Sequence, residues 1–165
     1  MEISKLDNNN LINLYSNCIK ELKNREIIRT KNITGELGEY IAVDFYNKTP
    51  NLPNLQFARP STENIDAISR KGERYSIKTI TNNGSTGVFY GLPPIDSNEM
   101  LRQKFEYVII VKLNDNFELE NILELTWDQF IENKKWHSRM KAWNLSYSKR
   151  LKEKVKNIYC AKGFK

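Results

Sequence analysis

Apolar residues recur at helical spacing near the N-terminus, where Leu11, Tyr15, Cys18 and Leu22 follow the polar run Asp7-Asn8-Asn9-Asn10. Residues three or four apart share a helix face, and Asp or Asn ahead of such a run accepts the orphan N–H groups of the first turn, so a capped helix is predicted here. A second helix starts at Asn32 or Thr34 and runs to about Asn47, with Ile33, Leu37, Ile41 and Phe45 on its apolar side. Gly35, Gly38 and Ala42 form a small-residue edge beside it that lets a sheet approach closely. Thr49–Asn54 holds two prolines and reads as a rigid connector. Leu55–Ala58 reads as a short strand broken by Pro60, and residues 64–78 as two strands joined by a tight turn at Arg70-Lys71-Gly72. Thr81–Gly87 reads as a flexible polar loop, and Tyr90–Pro94 as an irregular insertion. Phe105–Lys112 carries the strongest buried-strand pattern. An alternating strand follows the turn at Asn114-Asp115-Asn116 and ends near Leu125. Thr126 then caps a helix from Trp127 to about Asn133, and a last helix spans Ser148–Val155. Interleaved strands and helices without repeat, low-complexity block or linker predict one α/β (α+β mixed) domain over residues 1–165.

Composition narrows the class. Of 165 residues, 39% are apolar and 28% charged, the balance of an ordinary globular chain. No apolar run approaches the roughly 18 residues of a membrane span. Met1–Leu6 lacks the apolar core of a signal peptide, so a cytoplasmic protein without membrane partners is expected. The cysteines are Cys18 and Cys160 and the one histidine is His137, which argues against a zinc site, a disulfide framework or a His-dependent nucleophile. His137 reads as a surface residue.

Charge is uneven along the chain. Residues 131–165 hold 11 Lys/Arg against Glu132 and Glu153, whereas residues 1–130 hold 15 Lys/Arg against 18 Asp/Glu. Lys134, Lys135, Arg139, Lys141, Lys149 and Arg150 are interleaved with Trp136, Trp143 and Tyr147. Cations neutralise phosphates and aromatic faces stack on bases or pack as anchors, so this region is the candidate nucleic-acid contact. The plainer reading is a solvated basic tail whose tryptophans pack on the core. No apolar stripe accompanies the charges, which disfavours a membrane surface.

The central hairpin carries the other candidate chemistry. Strand side chains alternate faces, so Asp66 shares a face with Ile68, and Arg74, Ser76 and Lys78 share one on the second strand. Given the right register, Asp66 and the Ser76/Lys78 pair converge. Ile65, Ala67, Ile68, Ile77 and Ile80 surround these charges, and charges among apolar strand residues are rare unless paired or functional. A structural Asp66–Lys78 ion pair is the competing explanation. A carboxylate oxygen suits Mg²⁺, which needs few protein ligands and completes its shell with water and substrate phosphate.

Asp66, nine intervening residues, then Ser76-Ile77-Lys78, preceded by the run Gly38-Glu39-Tyr40-Ile41-Ala42, resembles the PD-(D/E)XK nuclease superfamily, the restriction-endonuclease-like fold. That signature is an Asp, a spacer, an acidic residue, any residue and Lys, with an added helix Glu in many members. The resemblance covers residues 32–112 and looks like the small bacterial domains of this kind. It implies a central mixed β-sheet flanked by helices, catalysis by Asp66, Lys78, Glu39 and Ser76, and Mg²⁺ or Mn²⁺ held by Asp66, Glu39 and the Ile77 backbone carbonyl. Helical geometry favours Glu39, which borders the small-residue edge, over Glu36, which it turns toward solvent. Ser76 departs from the pattern, since a hydroxyl stands where the family has a second acid. Glu73 points to the opposite face and is no substitute. The implied function is a metal-dependent endonuclease acting on double-stranded DNA, of restriction or defence type; a palindromic target would favour a homodimer. The alternatives are a weakly active or inactive DNA-binding module on the same fold, and a protein-interaction domain.

Overall fold

A computed structural model describes residues 2–59, 62–82 and 84–163. The predicted break at Pro60 lies outside the described residues. The chain divides into two compact units, Met1–Leu37 and Gly38–Lys165.

In the first unit a 3-10 turn, Ile3–Lys5, precedes helix α1 (Asn8–Asn24). The Asp7 carboxylate accepts the Asn10 N–H at 2.9 Å, the cap that the polar run predicts. Leu11 and Tyr15 of the apolar stripe are exposed, and α1 holds no buried residue. The helix closes through Glu26, at φ 57°, and the N–H groups of Ile27 and Ile28 return to the Leu22 carbonyl. Helix α2 (Ile33–Lys48) begins here, its first turn held by the Asn32 side chain, which accepts the Gly35 N–H at 3.2 Å.

The second unit takes up α2 at Gly38 and is mixed α/β. Its strands are β1 (Leu55–Phe57), β2 (Ala67–Ser69), β3 (Arg74–Ile80), β4 (Tyr107–Leu113), β5 (Leu119–Thr126), β6 (Lys134–His137), β7 (Ala142–Leu145) and β8 (Lys156–Cys160). Helix α3 (Trp127–Asn133) follows β5, and α4 (Lys149–Lys154) follows β7. A six-stranded sheet has the order β1-β2-β3-β4-β5-β8, while β6 and β7 form a separate two-stranded ribbon. Only β3 and β4 run parallel; the other neighbours in the large sheet are antiparallel. The Thr126 prediction holds in detail, as its side chain and that of Gln129 form a reciprocal capping box.

The sheet is covered on both faces. One face of β3–β5 presents Ile80, Val108, Ile110, Leu123 and Leu125 to Phe89, Phe105, Phe130, Trp143 and Leu145, which form the main core. Ser76 and Lys78 belong to this face, since they pair with Val108 and Ile110 across the parallel ladder. The opposite face meets α2. Gly38 lies so close to β3 that a Cβ there would fall 1.9 Å from the Thr79 hydroxyl, so only glycine permits this crossing. Ala42 is fully buried beside it, and Tyr46 packs edge-on against Tyr75.

Two expectations change. The loop after β3 is not free: Phe89 N–H donates to the Trp143 carbonyl at 2.7 Å, Thr86 N–H to Leu145, and Tyr147 N–H to Gly84, so this segment lies along β7 as an irregular neighbour. Asn83 of that loop is outside the described residues. The basic region, moreover, is not a tail with one helix. It supplies β6, β7 and β8, the last of which forms one edge of the large sheet. Among the described residues no helix is long and apolar enough to cross a membrane.

Candidate functional site

Register brings Asp66 to β3. Ala67 pairs with Tyr75, and Ile68 with Arg74. The ladder runs one residue beyond the strand ends, because the Asp66 N–H donates to the Tyr75 carbonyl at 2.8 Å. Asp66 therefore stands just before β2 rather than inside it, and opposite Ser76. The tight turn enforces this register: Gly72, at φ 85°, closes a turn in which the Ser69 N–H reaches the Glu73 carbonyl at 2.8 Å.

The Asp66 carboxylate is held by the backbone. Its Oδ2 accepts the Ile77 N–H at 2.6 Å, and the Ser76 hydroxyl lies 3.4 Å from the same oxygen. Ile77 faces the β2 edge at the level where β2 has ended, so Asp66 satisfies an N–H that no strand neighbour reaches. A strand residue turns its N–H and C=O to the same side, which directs the Ile77 carbonyl to this edge too. Ser76 is fully buried. Lys78 is half-buried on the same face, and its ammonium lies 4.9 Å from the centre of the Phe89 ring.

The segment carrying Phe89 also braces the loop that leads into Asp66. Asn64, left-handed at φ 57°, donates from its side-chain amide to the Tyr90 carbonyl at 2.6 Å. Gly91 sits where a Cβ would meet the Glu63 carboxylate at 2.3 Å. Asp66 and Lys78 thus share one support, residues 89–91, which the sequence pattern alone presents as an irregular insertion. The apolar and aromatic run Val88–Leu92 inside an otherwise polar loop is the signal that marks it.

The two helix glutamates have different surroundings. Glu36 is only 6% exposed, and its carboxylate accepts the N–H groups of Arg29 and Thr30, the latter at 2.8 Å. Burial by itself would raise its pKa; the N–H donors of Thr30 and Arg29 outweigh that and hold it below the usual carboxylate value. The predicted solvent-facing role for Glu36 is therefore corrected. The helical wheel follows the apolar side of α2 and overlooks the unpaired backbone of the preceding loop. Glu39 is half-buried and follows Gly38, at the point where α2 crosses β3 beside Thr79, the residue after Lys78. Thr79 faces the α2 side of the sheet and Lys78 the other, so Glu39 and Lys78 approach β3 from opposite faces, and Asp66, opposite Ser76, lies with Lys78.

In the basic region the aromatics point inward. Trp136 and Trp143 are direct cross-strand partners with ring centres 5.1 Å apart, and the Trp143 indole N–H donates to the Pro93 carbonyl at 2.8 Å. Trp143 and Tyr147 are buried, so they pack as anchors and do not offer faces to bases. Lys134 also departs from expectation. Its ammonium sits 3.3 Å from the centre of the Trp143 ring, and burial lowers its pKa. Lys135, Arg139, Lys141, Lys149 and Arg150 are exposed, with Lys149 placed 4.0 Å from Glu153. His137 acts locally, its Nδ1 accepting the Met140 N–H at 3.2 Å. Cys18 and Cys160 are exposed thiols.

Sequence reasoning missed two buried charges. Lys112 is 4% exposed and donates to the Thr81 and Leu113 carbonyls and to Glu120. Glu124 accepts from the Tyr46 hydroxyl at 2.7 Å and from Lys156 at 3.3 Å. It lines a cleft of about 500 Å³ with Tyr75, Tyr107, Arg70 and Lys71, on the α2 side of the sheet.

The donors at the β3 edge fit a sparsely liganded Mg²⁺ or Mn²⁺. Asp66 is oriented by a backbone N–H, as metal-binding carboxylates are oriented by hydrogen bonds around them, and the Ile77 carbonyl is a hard oxygen at the same edge. No cluster of three or more His, Cys, Asp or Glu side chains suited to a metal occurs among the described residues, so water and substrate phosphate would complete the shell. No family model matches the chain, and no curated protein matches it.

Proposed function

We propose that this chain is a metal-dependent endonuclease of the restriction-endonuclease-like kind, a cytoplasmic restriction or defence enzyme hydrolysing phosphodiester bonds in double-stranded DNA. The observation that supports the reading is the meeting of Asp66, Ser76 and the Ile77 backbone at one strand edge, with Lys78 next along the same face and held against Phe89. Asp66, Glu39 and the Ile77 carbonyl would hold Mg²⁺ or Mn²⁺, which when bound polarises the phosphate and lowers the pKa of a coordinated water. Asp66 keeps a fixed orientation through its hydrogen bond from Ile77. Ser76 adds a hydroxyl beside the same oxygen and no charge. Lys78, held against Phe89, presents a cation that positions the attacking water and offsets charge gathering on the phosphate as the water oxygen bonds to phosphorus and the P–O ester bond breaks. The exposed cations of the β6–β7 ribbon and of α4 take the flanking phosphates.

Ser76 supports a second reading. It is fully buried where the family has a carboxylate, so the site holds less negative charge for a divalent cation. A DNA-binding module with weak or no cleavage follows from that. Plasmid cleavage separates the two. The endonuclease reading expects nicking or linearisation with Mg²⁺ or Mn²⁺, none in chelator, and none from Asp66→Asn. DNA binding without cleavage at any metal concentration would leave the binding module.

A further inference from the structure

We propose that the turn joining β6 to β7 is a reader of the DNA major groove, with Arg139 recognising guanine and Met140 making the apolar contact beside it. The proposal rests on the nucleic-acid reading above and narrows it to B-form duplex DNA.

The turn is built to stay in place. Its stem is locked by the Trp136–Trp143 pair, by Lys134 over Trp143 and by the Trp143 indole on Pro93. Its tip is locked by the Met140 N–H on His137. β7 is buried along its whole length and bonded to Thr86 and Phe89, which ties the ribbon to the core. Ser138, Arg139, Met140 and Lys141 are all exposed at the end of this rigid stem. Met140 is 45% exposed between two cations, although every tryptophan of the ribbon is turned inward. Lys141 is left-handed, at φ 48°, a position that glycine fills without strain. The chain keeps a long cation at a place where its backbone disfavours one, and such strain tends to gather at functional sites.

Groove dimensions choose the partner. A two-stranded turn with side chains on backbones about 4.8 Å apart fits a major groove about 12 Å wide and exceeds a minor groove about 6 Å wide. The major groove of A-form RNA is too deep and narrow for side chains, which leaves duplex DNA. In that groove a guanidinium pairs with guanine O6 and N7, and an apolar side chain meets the thymine methyl. Lys135, the exposed residue of β6, and Lys141 are placed for phosphates.

The test is enrichment of bound sequences from a pool of random-sequence DNA duplexes by the full chain, its Arg139→Ala variant and its Lys141→Gly variant. The wild type is expected to enrich a motif containing guanine. Arg139→Ala should bind that motif about tenfold to a hundredfold more weakly and lose the preference at that guanine. Replacing the guanine by 7-deazaguanine should weaken the wild type and leave Arg139→Ala unchanged. Lys141→Gly should bind all sequences more weakly, with a log–log salt slope lower by about 0.9, while melting no lower than wild type. Duplex binding in which Arg139→Ala enriches the same motif with equal affinity overturns the reader and leaves the endonuclease reading standing. Equal affinity for duplex RNA also overturns it. Failure of the wild type to bind any duplex overturns both.

Discussion

Two hairpins of the second unit use charge in opposite ways. At the β2–β3 hairpin, away from the exposed Arg70 and Lys71 of its turn, three polar side chains turn toward the protein: Asp66 accepts the Ile77 N–H, Ser76 is buried, and Lys78 rests on Phe89. At the β6–β7 hairpin the aromatics turn inward, and the cations, Lys134 excepted, turn out. A reacting group must be held to a fraction of an ångström, and backbone donors and a braced ring do that. A phosphate-contacting group gains little from rigidity and much from exposure, since its role is to displace counterions. Under the proposed function, chemistry falls to the first hairpin and grip to the second.

The largest expected effect tests the first half of that assignment. Asp66→Asn keeps an acceptor for the Ile77 N–H and should melt close to wild type, yet cleavage should fall by at least about 10²–10⁴-fold, the range for loss of a positioned catalytic group. Lys78→Met keeps contact with Phe89 and should lose activity over the same range. A folded Asp66→Asn protein that cuts at the wild-type rate would return Asp66 to a structural role. The second half is tested by Trp143→Ala. It removes the ring that supports Lys134 and Trp136, and should cost about 3–5 kcal/mol in denaturant unfolding. If stability is unchanged, the ribbon is not anchored through this ring.

Legibility in the sequence depends on whether a residue's partner is near along the chain. The pairing of Asp66 with Ser76 can be read because the turn at Arg70–Gly72 and the two-residue period of strands fix register locally. The caps at Asp7 and Thr126 are equally plain. β8 is not, because it pairs with β5 more than thirty residues away, through Ile122–Tyr159 and Glu124–Lys156, in a segment dominated by charge. β6 and β7 are hidden for a related reason: a run of lysines reads as solvated until the tryptophans find each other across the turn. Glu36 is misplaced because its partners are main-chain N–H groups, which leave no mark in a hydrophobic pattern.

Smaller effects sharpen the contrast. Ser76→Glu would put a second carboxylate into a buried position whose present hydroxyl lies 3.4 Å from Asp66. It should lower the melting temperature in chelator and recover more with Mg²⁺ than wild type does, since the cation relieves the repulsion. Equal destabilisation with and without metal would mean that no cation visits this edge. Glu36→Gln should weaken the loop before α2 by about 1–3 kcal/mol near neutral pH. Because the folded-state pKa of Glu36 lies below its unfolded value, its contribution is present above the unfolded pKa and disappears as pH falls through the folded one. The variant should therefore differ from wild type near pH 7 and converge with it in acid; hydrogen exchange at the Arg29 and Thr30 amides follows this directly.

The most direct measurement pairs duplex affinity with single-turnover cleavage at saturating protein, for Asp66→Asn and for Lys135→Gln/Arg139→Gln/Lys141→Gln on the same DNA. The division of labour predicts that Asp66→Asn binds like wild type and does not cut. The triple variant should bind more weakly, with a salt slope lower by about 0.9 for each phosphate no longer neutralised, and cut at nearly the wild-type rate once saturated. Cleavage by saturated Asp66→Asn, or a triple variant that binds fully and cannot cut, would contradict it.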